Sequence, residues 1–172
     1  DLARAEAGLS IDAAGHVVAP GFIDMHSHAD VVLPALPTAD SLVRQGITSA
    51  VVGQCGESPA PLLPATREEV ITSMASADCP LPFEAWSTFA DYLEYLGRLG
   101  TSINVTPLVG QGTVRAGVLA HSAAAPRGGQ LAAMQREVAR ALEEGAIGVS
   151  TGLIYPPGSY ATTEEIVEVV RP

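Results

Sequence analysis

Two stretches of this chain carry the residues best able to do chemistry. The first, APGFIDMHSHAD (19–30), is an apolar run ending in His26-Ser27-His28 between Asp24 and Asp30. The second, GQCGESPAPLLP (53–64), is a Gly/Pro-rich loop that carries Cys55. Side chains alternate faces along an extended chain, so His26 and His28 emerge on one side with Cα atoms roughly 6.5 Å apart. Two imidazoles so placed can converge on one cation, and a catalytic zinc site keeps one position open for water. An isolated His-x-His also describes two loop histidines on a surface, and a lone Cys is most often a small buried hydrophobe. The elements that precede these residues favour the metal reading.

Residues 21–23 read as a short buried strand that delivers the histidines. Before it, Leu9, Ile11, Val17 and Val18 flank a turn at 12–15 and suggest a small hairpin. Residues 39–45 have helical character, with Leu42 and Val43 as the apolar face and Gly46 as the stop. The β-branched run ITSAVV (47–52), apolar on both faces, predicts a strand buried in a parallel sheet, and Cys55 follows its end. Thr66 and Glu69 suggest a capping box opening a helix over 67–76. A helix over 88–99 presents Phe89, Tyr92, Leu93, Leu96 and Leu99 at helical spacing, and these aromatics, with Trp86, read as packing. INVTPLV (103–109) reads as a third strand, followed by a Gly-containing segment with short helices. Leu131, Met134, Val138 and Leu142 mark a helix over 130–144, AIGVSTGL (146–153) a fourth strand, and Thr162 with Glu165 the start of a last helix.

Strands alternating with helices predict parallel strands joined by helical crossovers. No G-x-G-x-x-G or G-x-x-x-x-G-K-[ST] loop follows any strand, which removes the usual phosphate-binding version of an open sheet. The candidate ligands sit after strand ends instead, where barrel enzymes keep their catalytic groups. The expected fold class is α/β, a partial (β/α)8 TIM barrel of about four strand-helix units, since a complete barrel needs about 250 residues. The chain has 172 residues, 47% of them hydrophobic and 16% charged, enough for a sizeable core. Its net charge of −10 argues against a nucleic-acid partner. No apolar stretch approaches the ~20 residues that span a bilayer, so no membrane-embedded segment is expected. Two cysteines in a chain of this length do not make a disulfide scaffold, and free thiols point to the cytoplasm. The first residue is Asp1 and not Met, so the sequence leaves a preceding signal peptide open.

With HSH ending a first strand and GQCGESPAP following a second, the chain resembles the N-acyl-D-amino-acid deacylases (D-aminoacylases) of the amidohydrolase superfamily. The resemblance is carried by APGFIDMHSHAD, VRQGITSAVVGQCGESPAPL, NVTPLVGQGTVRAGVL and EEGAIGVSTGLIYPPGSYATTEEI, which span most of 19–166. It implies a zinc-dependent hydrolase, with residues 1–18 a remnant of a small β domain and 19–172 the N-terminal half of the barrel. It implies His26, His28 and Cys55 as metal ligands, one Zn2+ held tightly with a second, weaker site, and Tyr155 in the substrate pocket. The family's two later histidine ligands and its catalytic aspartate fall beyond Pro172, so no catalytic residue is assigned here. Gln111 stands where the family pattern often has His.

Many barrel amidohydrolases bridge their metals with a carboxylated lysine; this chain has no lysine, and a thiolate, a good zinc ligand, can fill that place. Asp24 and Asp30 are candidates to hydrogen-bond the imidazole N–H groups. Cys79, His16 and His121 lack a strand-end position and read as structural or loop residues. The expected reaction is hydrolysis of an N-acyl-D-amino acid, a small-molecule substrate, to a D-amino acid and a carboxylate. The alternatives are another amidohydrolase of cyclic-amidase or dipeptidase type, or a non-catalytic fragment. The sequence leaves the oligomeric state open.

Overall fold

A computed structural model describes residues 6–75 and 83–171. Cys79 and the end of the helix expected over 67–76 lie outside the described residues. The structure is mixed α/β, with strands β1 (Phe22–Asp24), β2 (Ile47–Val52), β3 (Asn104–Pro107), β4 (Val109–Gly110) and β5 (Val149–Ser150). The helices are α1 (Asp40–Val43), α2 (Pro64–Ala75), α3 (Phe89–Leu99), α4 (Gln111–Leu119), α5 (Gln130–Glu143) and α6 (Thr163–Val169).

Every strand pairing is parallel, and neighbours in space are neighbours in sequence: β1 beside β2, β2 beside β3, and β4 beside β5. The single strand expected over 103–109 is divided at Leu108. Up to that point the chain bonds back to β2, Leu108 N–H to the Val52 carbonyl at 2.9 Å; beyond it Val109 N–H bonds to the Gly148 carbonyl at 3.0 Å. One path thus changes partners as the sheet turns, which pattern along the sequence does not register.

The core lies between the sheet and its helices. Ala50, Val52 and Val109 from the strands meet Phe89, Tyr92 and Leu96 of α3 and Met134, Val138 and Ala141 of α5, all buried. Each large side chain so buried contributes about 1.5–3 kcal/mol. Trp86 sits edge-on to Tyr92 with ring centroids 5.2 Å apart, and its indole N–H donates to the Pro59 carbonyl at 2.9 Å. The aromatic stripe is packing, with its polar tips used to hold loops.

Helix starts follow local chemistry. Thr88 caps α3, accepting from Asp91 N–H at 3.0 Å while the Asp91 carboxylate takes Thr88 N–H at 3.0 Å, the reciprocal capping box. Thr162 caps α6 through Glu165 N–H at 3.2 Å, but the Glu165 carboxylate does not close that box. It turns to Arg115 at 2.9 Å, both side chains buried, and Arg115 also donates to the Ser122 and Ala124 carbonyls at 2.8 and 3.0 Å. Helix α2 corrects the capping box expected at Thr66. It begins at Pro64, which suits a first helical position because its missing N–H would have no partner there, so Thr66 lies inside the first turn.

Three further expectations are corrected. The turn at 12–15 forms, Asp12 accepting from Ala14 N–H at 2.9 Å, but the flanking residues make no hairpin ladder. Leu9, Ile11, Val17 and Val18 are all exposed, and an isolated two-stranded ribbon without an apolar partner is marginal. Strand β1 is not buried: Phe22 and Ile23 are each 62% exposed, because among the described residues β1 pairs only with β2. The fourth strand shrinks to Val149–Ser150, with Ile147, Leu153 and Ile154 exposed around it.

Replacing Glu165 by Ala leaves the Arg115 charge buried without its partner and should cost roughly 3–5 kcal/mol in denaturant titrations. Glu94→Ala, removing an exposed pair with Arg98 at 3.6 Å, should cost under about 1 kcal/mol. The backbone N–H groups of Thr88 and Ser87 hold the Asp91 carboxyl below its ordinary 3.8. A depressed folded pKa gives stability above the unfolded value that is lost as pH falls through the folded one. The stability advantage of the native protein over Asp91→Asn should therefore be present near neutrality and vanish in strong acid.

Candidate metal centre

The His-x-His segment is shaped by backbone bonds at the end of β1. The Asp24 carboxylate accepts His26 N–H at 3.2 Å, and Ser27 N–H donates to the Val51 carbonyl of β2 at 3.1 Å. Ser27 is turned inward and buried, so His26 and His28, on either side of it, are both exposed. Their rings stand 5.8 Å apart at 67°. Asp30 is 1% exposed and reaches across to the second loop: its Oδ2 accepts Gly53 N–H at 2.9 Å, while its own carbonyl takes the Tyr92 hydroxyl at 2.9 Å. Burial raises the Asp30 carboxyl from 3.8 to about 6, opposed by the Gly53 bond and by the charge of His28. The two aspartates, candidates to hydrogen-bond the imidazoles, bond to backbone N–H groups of the histidine segment and the cysteine loop.

The cysteine loop turns sharply after β2. Gly53 and Gly56 have φ of +74° and +76°, and between them Cys55 itself is left-handed at +57°. A side-chain-bearing residue there is strained and persists only where its surroundings enforce it. They do so from several sides. The Gln54 amide donates to the Met25 carbonyl at 3.0 Å, tying the turn to the histidine segment. Thr113 N–H donates to the Gly56 carbonyl at 3.1 Å; the Thr113 hydroxyl bonds past the turn, accepting Ser58 N–H at 2.9 Å. A Cβ on Gly152 would run into the Cys55 carbonyl, and one on Gly110 into that of Gly56.

The outcome brings together the three residues singled out in the sequence. Cys55 Sγ lies 3.3 Å from His26 Nε2, and one ligand atom from each of His26, His28 and Cys55 lies within 4.8 Å of the others. Beside them opens a cavity of about 610 Å3, whose wall includes His28, Cys55, Glu57, His121 and Tyr155. Its size falls in the usual range for small-molecule sites. Tyr155 is half exposed on that wall, following the turn in which its N–H bonds to the Gly152 carbonyl at 3.0 Å. Gln111, at the start of α4, is buried with neither amide atom bonded to a partner in the protein. His16 is exposed and bonds the Ala14 carbonyl at 3.2 Å.

Sequence reasoning missed His121, placed on the cavity wall by the segment after α4, and Ser150, which bonds the cysteine turn from β5. A serine inside a strand and a histidine in a loop carry no local signal of such a role.

Parallel strands followed at successive C-terminal ends by two histidines and a cysteine that could hold a metal set out an architecture, and the comparison of sequences gives its family. The chain belongs to the amidohydrolase family, whose sequence profile matches residues 10–165. It is 42% identical over 172 residues to the N-acyl-D-aspartate deacylase of Alcaligenes xylosoxydans xylosoxydans, covering all of this chain and 34% of that protein. A D-aminoacylase structure, described for a binuclear metal centre with one-metal activation and second-metal attenuation, superposes with a TM-score of 0.86. That protein is 39% identical, over all of this chain and 35% of that one. The N-acyl-D-glutamate deacylase of Bordetella bronchiseptica, in complex with zinc and a phosphonate inhibitor that mimics the tetrahedral intermediate, gives a TM-score of 0.83. Its identity is 36% over 98% of this chain and 35% of that one. The chain therefore spans about a third of the length of the curated relatives it matches.

Substituting Gly152 by Ala puts a methyl group against the Cys55 carbonyl, and backbone there cannot step aside cheaply. The expected cost is about 1–3 kcal/mol of overpacking, read in thermal unfolding with Gly97→Ala, which meets no neighbour, as the control.

Proposed function

We propose that this chain supplies part of the active site of a zinc-dependent hydrolase that cleaves the amide bond of N-acyl-D-amino acids. The observation that carries the reading is the convergence of two imidazoles and one thiol at one end of the cavity that Tyr155 lines. The activities of the relatives named above support the substrate class.

The donor set fits zinc. Nitrogen and thiolate ligands at about 2.0–2.1 and 2.3 Å in a tetrahedral arrangement lie roughly 3.3–3.6 Å from each other. The Cys55–His26 separation of 3.3 Å already has that value, and both exposed imidazoles have room to close the wider gaps. His26, His28 and Cys55 would hold the ion, the last as a thiolate. When bound, zinc supplies Lewis-acid polarisation of the acyl carbonyl and activation of a water molecule. Asp24 and Asp30 accept His26 N–H and Gly53 N–H in the two segments that carry the donors, and Glu57 shares the cavity wall with His28 and Cys55. Tyr155, on the cavity wall, is read as a substrate contact, and Val31, Pro61, Leu62 and Val70 line the cavity with apolar surface that limits water around it.

The four strand-helix units are read as an arc of a (β/α)8 barrel, residues 19–172, with 1–18 belonging to a small β domain. The support is sequential parallel order, with no strand inserted out of turn among the described residues. On their own these 172 residues are expected not to turn over substrate, because among the described residues β1 and β5 each pair on one side only and leave apolar side chains exposed.

In the full-length protein, Cys55→Ala should lower bound zinc and cut N-acetyl-D-amino acid hydrolysis by at least about 100-fold while far-UV circular dichroism stays unchanged. Metal analysis and product release measured on the D and L enantiomers decide the matter. Full activity in that variant removes Cys55 from the site, and equal turnover of both enantiomers removes the substrate class.

A further inference from the structure

We infer that Ser150 is a positioning residue of the centre: its hydroxyl bridges the two ends of the Gly53–Gly56 turn and so fixes where Cys55 presents its sulfur. The inference rests on the reading of Cys55 as a metal ligand. A serine hydroxyl has one proton to donate and lone pairs to accept with. Here both functions are spent on one turn. The Oγ donates to the Gly53 carbonyl and accepts Gly56 N–H at 3.0 Å, across 97 and 94 residues of sequence.

Between those two anchor points lie only Gln54 and Cys55. Gly53 N–H is taken by Asp30 and the Gly56 carbonyl by Thr113 N–H, so both junctions of the turn are bonded on each side. Among the described residues, Ser150 is the side chain that hydrogen-bonds both junctions. It is buried, so without its hydroxyl the Gly53 carbonyl and Gly56 N–H lose a partner where that partner is shielded from water. The turn can recover those bonds by relaxing Cys55 out of its left-handed conformation, and that rotation carries Sγ away from His26. Two residues further along, Gly152 leaves space for the Cys55 carbonyl, so one short segment both bonds the turn and accommodates it.

Thr113 provides a matched comparison. Its hydroxyl also makes two backbone bonds to the same loop, accepting Ser58 N–H at 2.9 Å and donating to the Ser58 carbonyl at 3.2 Å, but beyond the cysteine turn. A general loss of loop stability would follow from either substitution; a displaced sulfur follows only from loss of Ser150.

The test loads the full-length protein with Co2+ in place of zinc. It reads the near-ultraviolet thiolate-to-cobalt charge-transfer band together with metal affinity by chelator competition. Ser150→Ala should weaken the band and lower affinity about 10- to 100-fold, whereas Thr113→Ala should leave the band unchanged and affinity within about threefold. If Ser150→Ala does not fold, the isosteric pair Ser150→Thr and Ser150→Val replaces it, with the band expected in Thr and lost in Val. A native band and affinity in Ser150→Ala, or equal bands in Thr and Val, overturn the positioning role alone. Absence of the band from the unsubstituted protein overturns the metal reading of Cys55 itself, and this inference with it.

Discussion

The bond between the Asp30 carboxylate and Gly53 N–H joins the only two loops that carry the candidate ligands, and the geometry of the centre depends on it. Each loop follows its own strand, and parallel pairing of β1 with β2 sets their starting points side by side. Pairing alone does not fix the separation of side chains that lie two to four residues past a strand end. Asp30, seated among apolar residues, does so by spending one carboxylate oxygen on the neighbouring loop. Burial that raises its affinity for a proton is the cost of that placement, partly offset by the bonds it accepts.

The core meets the site through a few polar tips. Tyr92 and Trp86 stack against each other in the interior, yet the Tyr92 hydroxyl holds the Asp30 carbonyl and the Trp86 indole holds the Pro59 carbonyl. These polar tips act beside the loops' own apolar anchors, Leu33 in the first and Ala60 and Leu62 in the second, all buried in the core. Arg115 serves the far side in the same manner, joining α4 to α6 and to the segment after α4 that contributes His121 to the cavity wall.

What was legible in the sequence divides along the range of the interactions. The run ITSAVV became β2 with the same bounds, and α3 and α5 lie within a residue of their apolar stripes, because periodicity and caps are local. The meeting of His26, His28 and Cys55 followed from their positions after successive strands. The hairpin over 9–18, the burial of β1 and the length of the fourth strand were misread, since each depends on what packs beside the segment. Division of the third strand at Leu108 depends on which neighbour its backbone faces. For Asp24 and Asp30 residue type left the partners open; the bonds they make go to the backbone N–H groups of His26 and Gly53. Ser150 had no signal at all: its partners lie nearly a hundred residues away.

That separation has a consequence for the order in which the molecule is made. The turn around Cys55 is complete only when β5 has arrived to close it, and at 5–20 residues per second the ribosome needs roughly 5–20 s to supply the intervening chain. During that interval a thiol and two imidazoles are already in the nascent polypeptide without the framework that orients them. Until β5 emerges, Gly53 and Gly56 lack the hydroxyl that bonds them, so the loop that carries Cys55 takes its final form late in synthesis.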